Sequence, residues 1–197
     1  MSTIPLFPLN TVLFPDGILP LRIFEPRYLD MVSECMRSNS GFGVCLISDG
    51  QEAGGMAECH EIGTLARIID WDNGGDGLLG ITTQGMKRFR ILTKHVRSNQ
   101  LLEGNVEFID EDDPEEIPVE YQLMADLLRK IGEKFELPYQ SEHEKFMDAA
   151  WVGCRLAELL PIKPDDRQLL LEINDPILRL KKLQVALEDV NTDEFTA

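Results

Sequence analysis

Basic charge is scarce in this chain. Nineteen Lys and Arg stand against 35 Asp and Glu in 197 residues, a formal net charge of -16 at pH 7. Nucleic-acid affinity comes largely from cations that displace phosphate counterions, and anionic lipid selects basic surface in the same way. Neither partner is expected here. Histidine is scarcer still: only His60, His95 and His143 occur, so a Ser or Cys nucleophile has few candidate bases. The four cysteines, Cys35, Cys45, Cys59 and Cys154, form no C-x-x-C pair. A chain of this length does not need disulfide staples, and reduced, packed thiols in a cytoplasm are the expected state. No apolar run approaches the ~20 residues of a membrane span. The N-terminus lacks the basic start and apolar stretch of a signal peptide.

Several letter matches to catalytic or ligand motifs fail on context. Gly75-Asp76-Gly77-Leu78-Leu79-Gly80 spells G-x-G-x-x-G, but residues 78–84 read as a strand. The dinucleotide motif needs a helix there, to meet the pyrophosphate with its N-terminus. Asp70, Asp72, Asn73 and Asp76 suggest calcium, yet the fifth and twelfth positions of an EF-hand loop hold Gly74 and Ile81. His143-Glu144 opens an H-E-x-x-H pattern that Met147 fails to close. Cys59-His60 has no second pair at metal-ligand spacing. The phosphate loop G-x-x-x-x-G-K-[ST] does not occur. With 35 acids, paired carboxylates carry no information. No catalytic residue, metal or cofactor is expected.

What is present is a strand-rich first part and a helical second part. Leu19, Leu21 and Ile23 alternate with Pro20 and Arg22, the pattern of a half-buried strand, and Pro20 marks an edge. Pro26 suits the first turn of a helix whose buried stripe would be Tyr28, Met31, Val32, Cys35 and Met36. Strands are expected over 43–48, 62–71, 78–84, 87–95 and 102–109, separated by Gly, Asn and Asp. Residues 49–60 read as a mobile loop. Asp72-Asn73-Gly74-Gly75 reads as a hairpin turn.

An acidic run, 110–116, marks a boundary. Beyond it, Leu123, Leu127, Leu128, Ile131 and Phe135 form a helical stripe. Ser141 and Glu144 resemble a capping box opening a helix with the stripe Met147, Ala150, Trp151, Cys154 and Ala157. A short helix over 165–172 comes next. Asp175-Pro176 caps a last one with the stripe Ile177, Leu180, Leu183, Leu187 and Val190, and 191–197 are expected to fray. This is a segregated α+β layout, with a β sub-domain over 1–117 and a helical one over 118–197.

Two blocks near the ends are distinctive. The first runs Ile4-Pro5-Leu6-Phe7-Pro8-Leu9, then Leu13-Phe14-Pro15, then Leu19 to Tyr28. The second runs Leu160-Pro161-Ile162-Lys163, then Asp166 to Glu172, then Asp175 and Arg179-Leu180. Between them stand Gly63-Thr64-Leu65-Ala66-Arg67-Ile68 and Gly85-Met86-Lys87-Arg88-Phe89-Arg90-Ile91. In that order these blocks resemble the N-terminal, substrate-binding domain of the Lon proteases. The resemblance implies a PUA-like twisted β-barrel with one early helix, followed by a helical bundle. It implies noncovalent recognition of unfolded or regulatory polypeptides, as an adaptor or holdase-like factor in protein quality control, with a protease as a further partner. The AAA+ motor and Ser–Lys protease domain of full-length Lon have no counterpart here, so a stand-alone, non-enzymatic module is expected, as a monomer or weak homodimer.

Pro5, Pro8 and Pro15 are read as turn formers and Phe7, Phe14 and Phe24 as core, with Glu25 and Arg27 paired locally. The candidate peptide-contact residues are Phe24 and Tyr28, in an apolar groove, and Arg88 and Arg90, which alternation places on one sheet face opposite Phe89. Salt bridging to neighbouring carboxylates competes with that use of the arginines. Two further readings stay open: an RNA-binding PUA-like protein, and a small-molecule binder or cryptic hydrolase.

Overall fold

The structure is a computed structural model and describes residues 2–52, 57–73, 77–110, 114–137, 139 and 142–189. The chain divides into two compact units, Met1–Glu111 and Asp112–Ala197. The first holds β1 (Ser2–Leu9), β2 (Ile18–Ile23), α1 (Pro26–Ser38), β3 (Phe42–Asp49), β4 (Glu58–Cys59), β5 (Ile62–Asn73), β6 (Leu79–Val96) and β7 (Leu102–Phe108). The second holds α2 (Gln122–Lys134), α3 (Ala149–Leu159), α4 (Pro164–Glu172) and α5 (Pro176–Asp189). The fold is α+β. No described helix is long and apolar enough to cross a membrane.

Five strands close on themselves in the order β1-β7-β6-β5-β3, with β3 returning to β1. Every junction is antiparallel except β1–β3, which is parallel. Closure pairs most backbone groups that an open sheet would leave at its edges. β2 lies off this ring, paired with β6, and β4 forms a short antiparallel pair with β3. The residues 49–60, expected to be loop throughout, therefore contain a strand in their described part.

The sequence pattern does not mark β1 as a strand, because Pro5 and Pro8 read as turn formers. Both lie inside it. Its partner changes between them: β7 pairs residues 2–6 and β3 pairs residues 6–9. N–H groups alternate between the two sides of a strand, so both prolines can face a side with no ladder. Pro15 does form a turn. Gly17 N–H donates to Phe14 C=O (3.0 Å), and Asp16 follows the proline with φ 62, the geometry of a type II turn.

The apolar pattern of β1 is nearly continuous because both of its faces are covered. Phe7 and Leu9 join Ile23, Tyr28, Met31, Val32, Phe42 and Ile81 in a core that takes in α1. Ile4 and Leu6 join Cys45, Cys59, Phe89, Ile91 and Val106 in a second core. Gly43, Gly63 and Gly104 make room for its large side chains. A Cβ on Gly43 would stand 2.6 Å from the Phe89 ring, and one on Gly104 would stand 2.9 Å from Leu6.

The two strands expected over 78–84 and 87–95 are one, β6, bent at Gly85 where the pairing with β5 shifts register. Gly85 N–H donates to Gly17 C=O, and Asp16 N–H to Gly85 C=O, both at 2.8 Å. Loop 14–17 thus straps the bend, and a Cβ on Gly85 would meet Phe14 O at 2.1 Å. Thr64 and Thr83 extend this stitching, donating to Leu13 C=O (2.6 Å) and Leu19 C=O (2.9 Å).

In the second unit, α3 is buried almost all round. It opens at Ala149 on Asp148, whose carboxylate accepts from Ala150 N–H (2.9 Å). The expected capping box does not open this helix. Ser141 lies outside the described residues, and Glu144 falls in a 3-10 turn, His143–Met147. Asp175 does cap α5, accepting from Ile177 N–H and Leu178 N–H (2.9 and 3.0 Å).

α2 keeps Leu128 and Ile131 of the expected stripe on its buried face, but not the ends of that stripe. It buries Met124, Ala125, Leu128 and Ile131, while Leu123 is 80% and Phe135 59% exposed. Arg179 is buried and donates through Nε to Leu170 C=O (3.0 Å) and through its guanidinium to Ile173 C=O. Arg167 donates to Leu160 C=O (2.9 Å). The arginines of the second sequence block are thus fold determinants that close helix ends.

Candidate functional site

β2 ends at Ile23, and two residues carry the chain into α1. Pro26 supplies the first helical turn without a wasted donor. The Glu25 C=O accepts from Tyr28 N–H and Leu29 N–H (both 3.0 Å). The Glu25 side chain makes no cap and pairs instead with Arg27 (2.9 Å), as the sequence suggested. This tight passage fixes two aromatic rings in opposite senses. Tyr28 turns inward and stacks on Phe7, centroids 3.9 Å apart and planes at 22°, with the Arg27 guanidinium 4.7 Å over its ring. Phe24 turns outward and is 59% exposed, so its expected place in the core is corrected. Phe24 follows the buried Ile23 and so points to the opposite side of the strand, while α1 faces the core through Tyr28, Met31 and Val32.

Between these rings lies a cleft of about 220 Å³, lined by Phe7, Leu9, Leu21, Phe24, Tyr28 and Glu52 among others. Its floor is apolar and its rim carries Arg22, Glu25 and Glu52. Glu52 is tied to the barrel through Asn10 N–H. Burial pushes the Tyr28 phenol up to about 12, against the opposing pull of Arg27. It is therefore a neutral hydroxyl at pH 7, a donor or acceptor and not a base. Among the described residues lining the cleft there is no Ser, Thr, Cys, Lys or His. The cleft offers an exposed ring, an apolar floor and polar groups at the rim, which suits binding.

Arg88 and Arg90 do not line this cleft. The chain leaving β7 passes Arg88, where Ile109 N–H donates to Arg88 C=O (2.9 Å), and Arg88 is 2% exposed. Arg90 is exposed and sits directly opposite Glu107 in the β6–β7 register. Alternation places the two on one sheet face; Arg88 is buried there and Arg90 is exposed.

His95 bonds Glu103 (2.8 Å), and Arg97 bonds both Glu103 and Glu34 of α1 (2.7 Å to the latter). Arg97, followed by His95, holds the Glu103 carboxyl below its usual range. This network fastens α1 to the β6–β7 turn. Among the described residues, no group of three His, Cys, Asp or Glu converges as a metal site would require.

Sequence reasoning missed a second groove, about 280 Å³, between the last turn of α1 and β5. Met36, expected to be buried, lines it at 44% exposure, with Ile69 and Trp71 at 50% and 53%. The signal available was Trp71, an aromatic beside acids at a strand end.

The family model for the ATP-dependent protease La (LON) substrate-binding domain matches residues 3–189. The chain belongs to this family. Among curated relatives, the Lon protease of Anaeromyxobacter dehalogenans is 25% identical over 189 residues, covering 91% of this chain and 22% of that protein. Lon protease 2 of Myxococcus xanthus is 25% identical, covering 91% and 23%. This Lon-type domain therefore spans between a fifth and a quarter of the length of those relatives. Among solved structures, a Lon N-terminal domain protein from Xanthomonas campestris superposes with TM-score 0.77 at 40% identity, covering 94% of this chain and 98% of that one. The N-terminal domain of the Mycobacterium avium complex Lon protease has TM-score 0.68 at 14% identity, covering 92% and 96%, a likeness of fold.

Proposed function

We propose that this chain recognises polypeptide noncovalently and does no chemistry itself. The match of residues 3–189 to a substrate-binding domain carries the reading. Phe24, held outward over an apolar floor by rigid elements, supplies a physical means. Unfolded segments differ from folded surfaces in offering free apolar side chains, and an exposed ring beside an apolar cleft selects for them. The working role is an adaptor or holdase-like factor in protein quality control, monomeric or weakly dimeric, able to pass clients to a protease. The net charge of -16 and the Glu25 and Glu52 rim disfavour the RNA reading. The neutral Tyr28 phenol, and a cleft whose described lining holds no Ser, Thr, Cys or Lys, disfavour hydrolysis.

The test is titration of the full chain with a labelled model protein that is held unfolded by reduction and alkylation, beside the same protein folded. Binding of the unfolded form alone supports the reading. Binding of neither form, or salt-sensitive binding of tRNA in place of protein, overturns it.

A further inference from the structure

We propose that the open edge of β5, from Asp70 to Asn73, is a second polypeptide-binding surface, and that its occupant is a short extended segment carrying Lys or Arg beside apolar side chains. This rests on the polypeptide-recognition reading and adds where and how a client is held.

The barrel closes β5 over only part of its length. β3 pairs with it from Thr64 to Ala66. Beyond Ala66, among the described residues, β5 pairs with β6 alone. A register shift between Ile68 and Asp70 confines a regular free edge to the last four residues. There the Trp71 N–H donates to its neighbour's exposed Asp70 carboxylate (2.9 Å), which stands where the carbonyl of a neighbouring strand would. Donors and acceptors alternate along a strand, so Asn73 presents its backbone groups to the same side as Trp71.

Natural edges are blunted by shortness, bulges, Pro and charged side chains. A short edge that lies beside a register shift and carries two aspartates disfavours every strand partner except a cationic one. This one carries Asp70, Trp71, Asp72 and Asn73. Arg67, on the same strand, donates to Asn39 Oδ1 (3.3 Å). Beside the edge lies the groove with Met36, Ile69 and Trp71. A backbone ladder selects an extended chain, the groove takes its apolar side chains, and the two aspartates favour cations on either side. A second copy of this chain is a poor occupant, because edge-to-edge pairing would set aspartates against aspartates.

The experiment uses the full chain and three synthetic peptides of roughly eight residues. One alternates apolar residues with lysine, one is the same peptide N-methylated on alternate amides, and one has glutamate for lysine. Affinity is read by anisotropy, and the contact by hydrogen exchange. Expected are binding of the basic peptide with slowed exchange at 70–73, and a loss of about tenfold on N-methylation, the worth of one or two ladder bonds. A comparable loss is expected in the D70K/D72K variant, and no binding of the acidic peptide. Trp71→Ala, at an exposed position, removes the apolar contact without disturbing the fold, and its expected loss is about fivefold or more.

Equal binding of the plain and N-methylated peptides, or protection confined to the Phe24 cleft, overturns the proposal and leaves polypeptide recognition standing. If neither the basic peptide nor the unfolded model protein binds, both fall.

Discussion

Truncating Phe24 to alanine should weaken polypeptide binding while leaving the fold as stable as before. Phe24 is 59% exposed, and a phenylalanine carries roughly 200 Å² of surface. About 120 Å² is thus available for a ligand to cover. At about 25 cal/mol per Å², full coverage contributes about 3 kcal/mol. Ordering of the ligand and incomplete contact reduce this to about 1–2 kcal/mol, or roughly five- to thirtyfold in affinity. Stability should change by less than about 0.5 kcal/mol, as at other exposed sites.

Phe7→Ala is the informative contrast. Phe7 is 6% exposed and stacks on Tyr28, so its loss should cost about 3–5 kcal/mol of folding stability. The assay is anisotropy of a labelled unfolded protein, with thermal unfolding of each variant. A folded Phe24→Ala protein that binds as tightly as the parent would refute the reasoning. So would a Phe24→Ala protein destabilised as much as Phe7→Ala, since the ring would then belong to the core.

Three further outcomes are expected. Gly85→Ala should destabilise by about 3 kcal/mol or more, because the new Cβ meets Phe14 O at 2.1 Å and the strap of loop 14–17 must give way; an unchanged melting temperature would contradict this. The folded-state pKa of Glu103 is depressed by Arg97 and His95, so its contribution is present above the unfolded carboxylate range and is lost as pH falls through the folded value. The stability gap between the parent and Glu103→Gln should accordingly hold near neutrality and close in acid, as chemical denaturation across pH would reveal; a gap that widens in acid contradicts it. Finally, Cys45 and Cys59 share a thiol hydrogen bond that raises the first and lowers the second, with burial adding to the rise at Cys45. Iodoacetamide should therefore label Cys59 before Cys45 in the folded protein, and equal labelling rates by mass spectrometry would contradict the assignment.

The order of strands followed by helices was legible because half-buried strands alternate and amphipathic helices repeat. It failed where that physics is overridden. β1 is buried on both faces and holds two prolines, so neither alternation nor propensity marks it. β6 looks like two strands because Gly85 resembles a break, whereas its glycine is demanded by the approach of Phe14 O. The α2 stripe held at Leu128 and Ile131 and failed at its ends, since Leu123 and Met124 are both apolar and only packing decides between them.

At the candidate site, Phe24 and Tyr28 line one cleft, a nearness that a five-residue span with Pro26 inside it makes readable. Their opposite orientations were not readable, nor was the burial of Arg88, which depends on tertiary packing. The β5 edge escaped notice for a similar reason. Whether a strand end is paired is a property of topology, and no local pattern encodes it.

Amide hydrogen exchange of the full chain, with and without a saturating unfolded client, addresses most directly whether the first unit is a polypeptide-recognition surface. Slowed exchange at the Phe24–Tyr28 passage around the cleft is predicted, with the α2–α5 amides unchanged. Slowing confined to α2–α5, or no slowing while the client is bound, would contradict it.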